Sequence, residues 1–239
     1  MEFKIIYEDK DVLVVDKPAG LVVFPEGPAS AKATARQRKT LIDYLIEQKP
    51  ELKNAGEAPR YGIVHRLDKD TSGVLLVAKS TEALEFLQKQ FAALEKTIEK
   101  RYIALVEGNI KDNTGTIHTL IGRALGDKRK QKAYPLSEAG MGKREATTEY
   151  KVLERFDEYT LLEVQIKTGR RHQIRCHFSY LQHPIAGDRL YGFKNSKMPK
   201  GLERQFLHAQ QLKIQLPSGE TKEFLSELPE ELKNVLNNL

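Results

Sequence analysis

The chain has 239 residues, with 39 Lys and Arg, 33 Asp and Glu, 6 His and 1 Cys. Its formal charge is +6, 40% of it is hydrophobic and 30% charged, which fits a globular protein with chain enough for a real core. The single Cys176 excludes an internal disulfide and a cysteine-built zinc site, and no apolar run approaches the roughly 20 residues that span a bilayer.

The N-terminus, MEFKIIYEDKDVLVV, carries acids and no small-residue cleavage site. No signal peptide is expected, and the expected compartment is the cytoplasm. Residues 4–7 and 12–16 flank Glu8-Asp9-Lys10 and predict a hairpin, which Lys17-Pro18-Ala19-Gly20 ends. Residues 25–39, rich in Pro, Ala, Ser and basic side chains, read as a loop. Thr40 with Asp43 predicts a helix start, followed by Leu41, Ile42, Leu45 and Ile46 at helical spacing. Residues 50–59 read as a polar connector and 74–78 as a buried strand. Ser80 is the expected cap of a helix whose apolar face runs Leu84, Leu87, Phe91, Leu94 and Ile98. A strand is expected at 101–106 and a long basic loop at 122–145. Paired strands follow at 146–153 and 159–166, a helix at 171–181, a hairpin of 213–216 with 220–224, and a short helix from Pro229. Strands that follow one another as hairpins argue for an α+β fold: a mixed, mostly antiparallel sheet core with peripheral helices and loops. One domain over residues 1–239 is expected.

The cations cluster. Lys32, Arg36, Arg38 and Lys39 fall within 28–39 without an acid. Residues 121–145 carry Arg123, Lys128, Arg129, Lys130, Lys132, Lys143 and Arg144 against Asp127, Glu138 and Glu145. Lys167, Arg170, Arg171 and Arg175 form a third group. They are either three solvated loops or, on one face, the footprint of a polyanion such as a nucleic acid.

The chemistry concentrates in His65-Arg66-Leu67-Asp68-Lys69-Asp70-Thr71-Ser72-Gly73. Asp68, Asp70 and Ser72 open like a calcium loop, but its twelfth position is Lys79, where a bidentate Glu is needed. The Asp-x-Asp pair also resembles the haloacid dehalogenase nucleophile motif. There His65 and Arg66 interrupt the preceding apolar run, and no doubly wound alternation follows. Taken whole, the nonapeptide is similar to the His-Arg-Leu-Asp-x-x-Thr-Ser-Gly signature of the RluA-type pseudouridine synthases. Lys17-Pro18-Ala19-Gly20-Leu21 resembles that family's first motif, and Tyr102-Ile103-Ala104-Leu105-Val106-Glu107-Gly108 its central strand. Thr168-Gly169-Arg170-Arg171-His172-Gln173-Ile174-Arg175-Cys176-His177 resembles its third motif. His183-Pro184-Ile185-Ala186-Gly187-Asp188, Tyr191-Gly192 and Leu207-His208-Ala209 follow in the family's order. The chain departs from the family at Phe24-Pro25, where members often carry a His, and no S4 RNA-binding domain is expected before Lys17.

The resemblance implies a pseudouridine synthase fold and isomerisation of uridine in ribosomal or transfer RNA: the N1–C1′ bond breaks, the base turns, and C5 bonds to C1′. Asp68 would be the essential carboxylate, attacking C1′ or C6 or removing the 2′ proton, and Arg175 its partner. Such a pair at ~4 Å and an effective dielectric of ~20 is worth roughly 4 kcal/mol before desolvation. Tyr102 would stack on the uracil and assist proton removal at C5, or else be an ordinary strand aromatic. Ile174 and Leu207 are walls of the base pocket or plain core. Arg66 would take the space of an extruded uridine, since the chemistry needs the base out of the stack, or else serve a structural ion pair. Arg170 and Arg171 would bind phosphates or lie on a solvated face. His65, His172, His177 and His208 read as structural hydrogen-bonding groups, with no metal. The reaction consumes no redox equivalent, so no cofactor is expected; neither is a membrane or an obligatory protein partner, and a monomer is the default. The rival reading is a noncatalytic RNA-binding factor with the same surface.

Overall fold

This computed structural model describes residues 3–25, 39–93 and 98–239. Its elements in order are β1 (Ile5–Glu8), β2 (Val12–Lys17), α1 (Leu41–Gln48), β3 (Ser72–Ala78), α2 (Thr81–Ala92), β4 (Glu99–Glu107), β5 (Thr114–Arg123), β6 (Gln131–Tyr134), β7 (Arg144–Arg155), β8 (Tyr159–Ile166), α3 (Gln173–Tyr180), β9 (Leu207–Gln215), β10 (Thr221–Leu225) and α4 (Glu230–Leu236). The chain divides into two compact units, Met1–Ile98 with Gln211–Ser226, and Glu99–Gln210 with Glu227–Leu239. The fold is the expected mixed, mostly antiparallel sheet with helices around it.

In the first unit β1, β2 and β3 form an antiparallel run, in register from Val12 opposite Ala78 to Lys17 opposite Gly73. All of β3 is buried, as its unbroken apolar run predicts. Val12, Val14, Val74 and Leu76 pack with Leu84 and Leu87 of α2 and with Leu212, Ile214 and Phe224 of the β9–β10 hairpin. Each such side chain contributes about 1.5–3 kcal/mol on burial. Both predicted helix starts hold. Thr40 and Asp43 form a capping box, with Thr40 N donating to the Asp43 carboxylate at 2.8 Å, and Ser80 Oγ accepts from Ala83 N at 3.1 Å.

Three expectations need correction. Helix α2 stops at Ala92, because Ala93 turns to extended dihedrals (φ −57°, ψ 143°). Ile98 lies beyond it and is buried in the same core as Leu84 and Leu87, so its helical spacing reflects a shared core rather than a shared helix; Leu94 lies outside the described residues. The supposed loop 122–145 contains β6 and ends inside β7, while 114–121, given no element from sequence, belongs to β5. Strand β6 has only four residues and a cation at its second position, too little for a period to show. The connector 50–59 opens with a 3-10 turn, Pro50–Asn54, whose Leu52 is fully buried. The expected loop 25–39 falls mostly on residues 26–38, outside the described residues.

In the second unit the strand order is β4-β8-β7-β5-β6, all antiparallel. Alternation gives the sheet two faces. Ile103 and Leu105 of β4 pack with Phe206, Leu232 and Val235 under α4. On the other face Ile121, Ala133 and Ala146 pack with Cys176 of α3 and with Tyr191. At the centre of that contact His177 is fully buried, its Nδ1 2.8 Å from Thr148 Oγ1 and its Nε2 3.0 Å from Thr119 Oγ1.

Burial pushes the His177 imidazole down to about 4. Above about 6.5 the imidazole is neutral in both folded and unfolded chains. Below that value the unfolded chain takes up a proton that the folded chain refuses, so stability falls with pH until about 4. The loss should reach about 3 kcal/mol. Urea unfolding followed from pH 7 to pH 4 should show this slope, and His177→Gln should remove most of it.

Candidate active site

In the first unit the site is built around a buried ammonium. Lys17 ends β2 with no exposure. Its Nζ donates to the carbonyls of Pro18 (2.7 Å), Leu21 (2.8 Å) and Lys69 (3.0 Å). One cation thus ties the first motif to the residue after Asp68. The Asp68 carbonyl accepts from Thr71 N at 3.1 Å, closing a turn that leads into buried Thr71 and Ser72. Gly73, opposite Lys17, has φ +117°, which a side chain would resist. The loop is therefore fixed at both ends, and Asp68 is held half-buried on it. His65 anchors the entry: its Nε2 accepts from Leu76 N at 3.0 Å and its ring stacks on Phe91 at 5.1 Å. Arg66 is exposed, with its guanidinium carbon 5.1 Å from the centre of the Phe24 ring, and Arg60 approaches the same ring at 4.9 Å.

In the second unit Tyr102 is buried on β4 opposite Val164, which in turn stands opposite Tyr150. Paired residues share a sheet face. Tyr150 meets Phe178 of α3 edge-on at 5.8 Å, so Tyr102 faces the side of the sheet that α3 covers. Ile174 and Arg175 come from that helix and are buried. Arg175 is held by a two-pronged ion pair: Nε donates to Asp188 Oδ2 at 2.6 Å and Nη2 to Oδ1 at 2.9 Å. Both partners are buried, at 8% and 4% exposure, so each supplies the charge that water would otherwise screen. Asp188 Oδ1 also accepts from Leu190 N (2.9 Å) and Tyr191 N (3.0 Å). The loop thereby folds back and sets the Tyr191 ring 5.1 Å from the Arg175 guanidinium. The Tyr191 hydroxyl accepts from Gln131 N at 2.7 Å and lies 3.0 Å from His172 Nδ1. Burial raises the pKa of that hydroxyl and lifts the Cys176 thiol to about 12, so neither ionises near neutrality.

The remaining expected residues divide. Leu207 opens β9 and is buried. Arg171 is exposed, but Arg170 is half-buried and its Nε donates to the Glu145 carbonyl at 2.9 Å. Burial, with Arg144 nearby, holds the Arg170 guanidinium below its ordinary value. Asp68 and Arg66 belong to the first unit, and Tyr102, Arg170, Arg171, Ile174, Arg175 and Leu207 to the second. Sequence reasoning did not assign roles to Lys17, Asp188 and Tyr191. The signal for the last two was a carboxylate and an aromatic three apart after a glycine, a spacing that lets a loop close on its own amides.

Residues 11–180 match the family model for RNA pseudouridylate synthase. The chain belongs to the RluA-type RNA pseudouridine synthase family. An uncharacterized RNA pseudouridine synthase of Bacillus subtilis is 41% identical over 240 residues, covering 100% of this chain and 73% of its own. The ribosomal large subunit pseudouridine synthase D of Borreliella burgdorferi is 40% identical over 236 residues, covering 98% of this chain and 68% of its own. Among solved structures, human RNA pseudouridylate synthase domain containing 4 superposes with a TM-score of 0.74 at 25% identity, covering 98% of this chain and 92% of that one. The protein is thus a pseudouridine synthase, an RNA isomerase. Among the described residues no helix is long and apolar enough to cross a membrane.

In this synthase the Arg175–Asp188 pair supports the helix it comes from. Asp188→Asn keeps the shape and the acceptor for the Leu190 and Tyr191 amides but removes the negative charge that Asp188 places on Arg175. The free energy of unfolding should fall by about 3 kcal/mol, read as a lower urea midpoint; an unchanged midpoint would show that the pair does not stabilise the fold.

Proposed function

We propose that this synthase isomerises selected uridines of ribosomal RNA, with Asp68 as the essential carboxylate and the target base extruded from its stack. The observation that carries the reading is the Asp68 loop. A half-buried carboxylate is held by a turn whose next carbonyl is gripped by a fully buried lysine, beside an exposed arginine resting on an aromatic ring. A side chain that must meet a sugar carbon has to be held by its surroundings rather than by the substrate.

The reaction is an internal exchange. The N1–C1′ bond breaks, the detached uracil turns, C5 bonds to C1′, and the C5 proton is lost while N1 gains one. Asp68 acts at the sugar or at C6. Arg175, its guanidinium braced by Asp188, is the positioning partner of Asp68 in the reaction, and Tyr102 lies against the uracil with Ile174 and Leu207 as apolar walls. Arg66 leaves Phe24 to fill the space of the extruded base. Arg171 and the basic side chains of residues 123–144 bind phosphates, whereas the prior engagement of Arg170 with the Glu145 carbonyl argues for a structural share in its role. The two units serve one catalytic domain, active in the cytoplasm as a monomer without a cofactor or a protein partner. Relatives named for the ribosomal large subunit support ribosomal RNA over transfer RNA.

Asp68→Asn should lower pseudouridine formation at least about a thousandfold while RNA affinity stays close to wild type. Mapping pseudouridine across ribosomal and transfer RNA in cells lacking the endogenous enzyme measures both loss and target. Modification that survives in the variant would remove Asp68 from the mechanism. Replacing Lys128, Arg129 and Lys130 together by Ala should weaken RNA binding and reduce the slope of log affinity against log salt by about 0.7–0.9 for each phosphate that the loop no longer neutralises. An unchanged slope in a salt titration would place this loop off the RNA.

A further inference from the structure

The two loops on either side of β6 hold apolar side chains out in water. Leu125 and Met141 are exposed at 100% and 104%, whereas no other large apolar side chain among the described residues exceeds 58%. Neither loop is loose. Ala124 N donates to the Lys130 carbonyl at 3.2 Å, Lys130 N to the Asp127 carbonyl at 2.9 Å, and the Arg129 guanidinium grips the Asp127 carboxylate at 2.7 Å. In the second loop Lys143 N donates to the Gly140 carbonyl at 3.2 Å and Lys143 Nζ to the Glu138 carbonyl at 2.7 Å. The loops converge. A Cβ on Gly122 would stand 3.1 Å from Lys143 Cγ and 3.2 Å from the Gly142 carbonyl, so the second loop crosses β5 where it runs out toward Leu125. Met141 directly precedes that crossing.

Cations surround this corner. Lys132 and Lys143 lie 5.1 and 4.0 Å from the centre of the Tyr134 ring, and Arg123, Lys128 and Arg144 flank the same strand ends. The corner also adjoins the Arg175 support: Lys130 Nζ is 5.9 Å from the centre of the Tyr191 ring that Arg175 faces at 5.1 Å. A lone exposed Leu needs no explanation. Two apolar side chains on ordered, converging loops, ringed by positive charge, fit a partner that offers both anions and flat apolar faces. Stacked nucleotides do so, with phosphates for the cations and base faces for the Leu and Met side chains.

We propose that Leu125 and Met141 form an apolar wedge that inserts between bases of the RNA next to the reacting nucleotide and loosens the stack from which that nucleotide leaves. The inference rests on the RNA reading above and adds a second contact to it, one that salt does not screen. An anionic lipid surface presents similar chemistry, but the direct continuity of the corner with Tyr191 and Arg175 favours RNA.

The test is titration of the full chain with a stem-loop RNA carrying 2-aminopurine in its loop, at several salt concentrations. The double variant Leu125→Ser, Met141→Ser should bind about tenfold to a hundredfold more weakly with the salt slope unchanged. Wild type should raise the 2-aminopurine emission and the double variant should not, while Leu125→Met with Met141→Leu restores both. The melting temperature of each variant should match wild type, since the side chains touch little in the free protein. Equal affinity and equal emission for wild type and double variant overturn the wedge while leaving the RNA reading intact. Absence of RNA binding by wild type overturns both. Loss of binding to phosphatidylserine vesicles, with RNA binding unaffected, assigns the corner to membranes and also overturns the wedge.

Discussion

A charge kept away from water survives only where its surroundings replace the hydration it has lost. Lys17 in the first unit and Arg175 in the second both meet this constraint, each with groups of its own unit. Lys17 does so with backbone carbonyls from two separate stretches of chain, so satisfying the ammonium also fixes where the Asp68 loop sits. Arg175 is met by the Asp188 carboxylate, which is itself committed to two loop amides. In each case solvation and positioning are a single act: the groups that make burial tolerable also determine where a reactive neighbour is presented.

The two supports differ in what they can transmit. The carbonyls of Pro18, Leu21 and Lys69 meet the Lys17 ammonium as dipoles and tie it to the backbone of the loop that carries Asp68. Asp188, in contrast, offsets the charge of Arg175 while occupying its Nε and Nη2 edge. The arginine is thus held as an oriented donor rather than as a bare cation, and its stacking against Tyr191 fixes the plane in which it can donate.

Much of this was legible from residue order, and the failures have identifiable causes. Continuous burial of β3, the Thr40 and Ser80 caps and the hairpin pairings follow from local patterns that tertiary packing had no reason to override. The short motifs were readable because several occur in order along the chain. Strand β5 escaped because its buried Thr119 and its glycines break the apolar alternation; Thr119 is there to meet His177, and Gly115 to receive the Tyr150 ring. The role of Lys17 escaped because a lysine ordinarily marks solvent, and nothing nearby in sequence announces three carbonyl partners. Asp188 escaped because its partner lies on another element, and a charged pair across such a gap leaves no periodic trace.

The resting place of Arg66 has an energetic consequence. Phe24 is buried, and its ring centre lies 5.1 Å from the guanidinium of exposed Arg66, a contact worth about 0.5–2 kcal/mol. Departure for the face of a nucleobase exchanges one π surface for another. Where a histidine stands in place of Phe24, its own protonation would repel the arginine and make the resting position sensitive to acidity; a phenylalanine ring carries no proton to gain and adds no such repulsion.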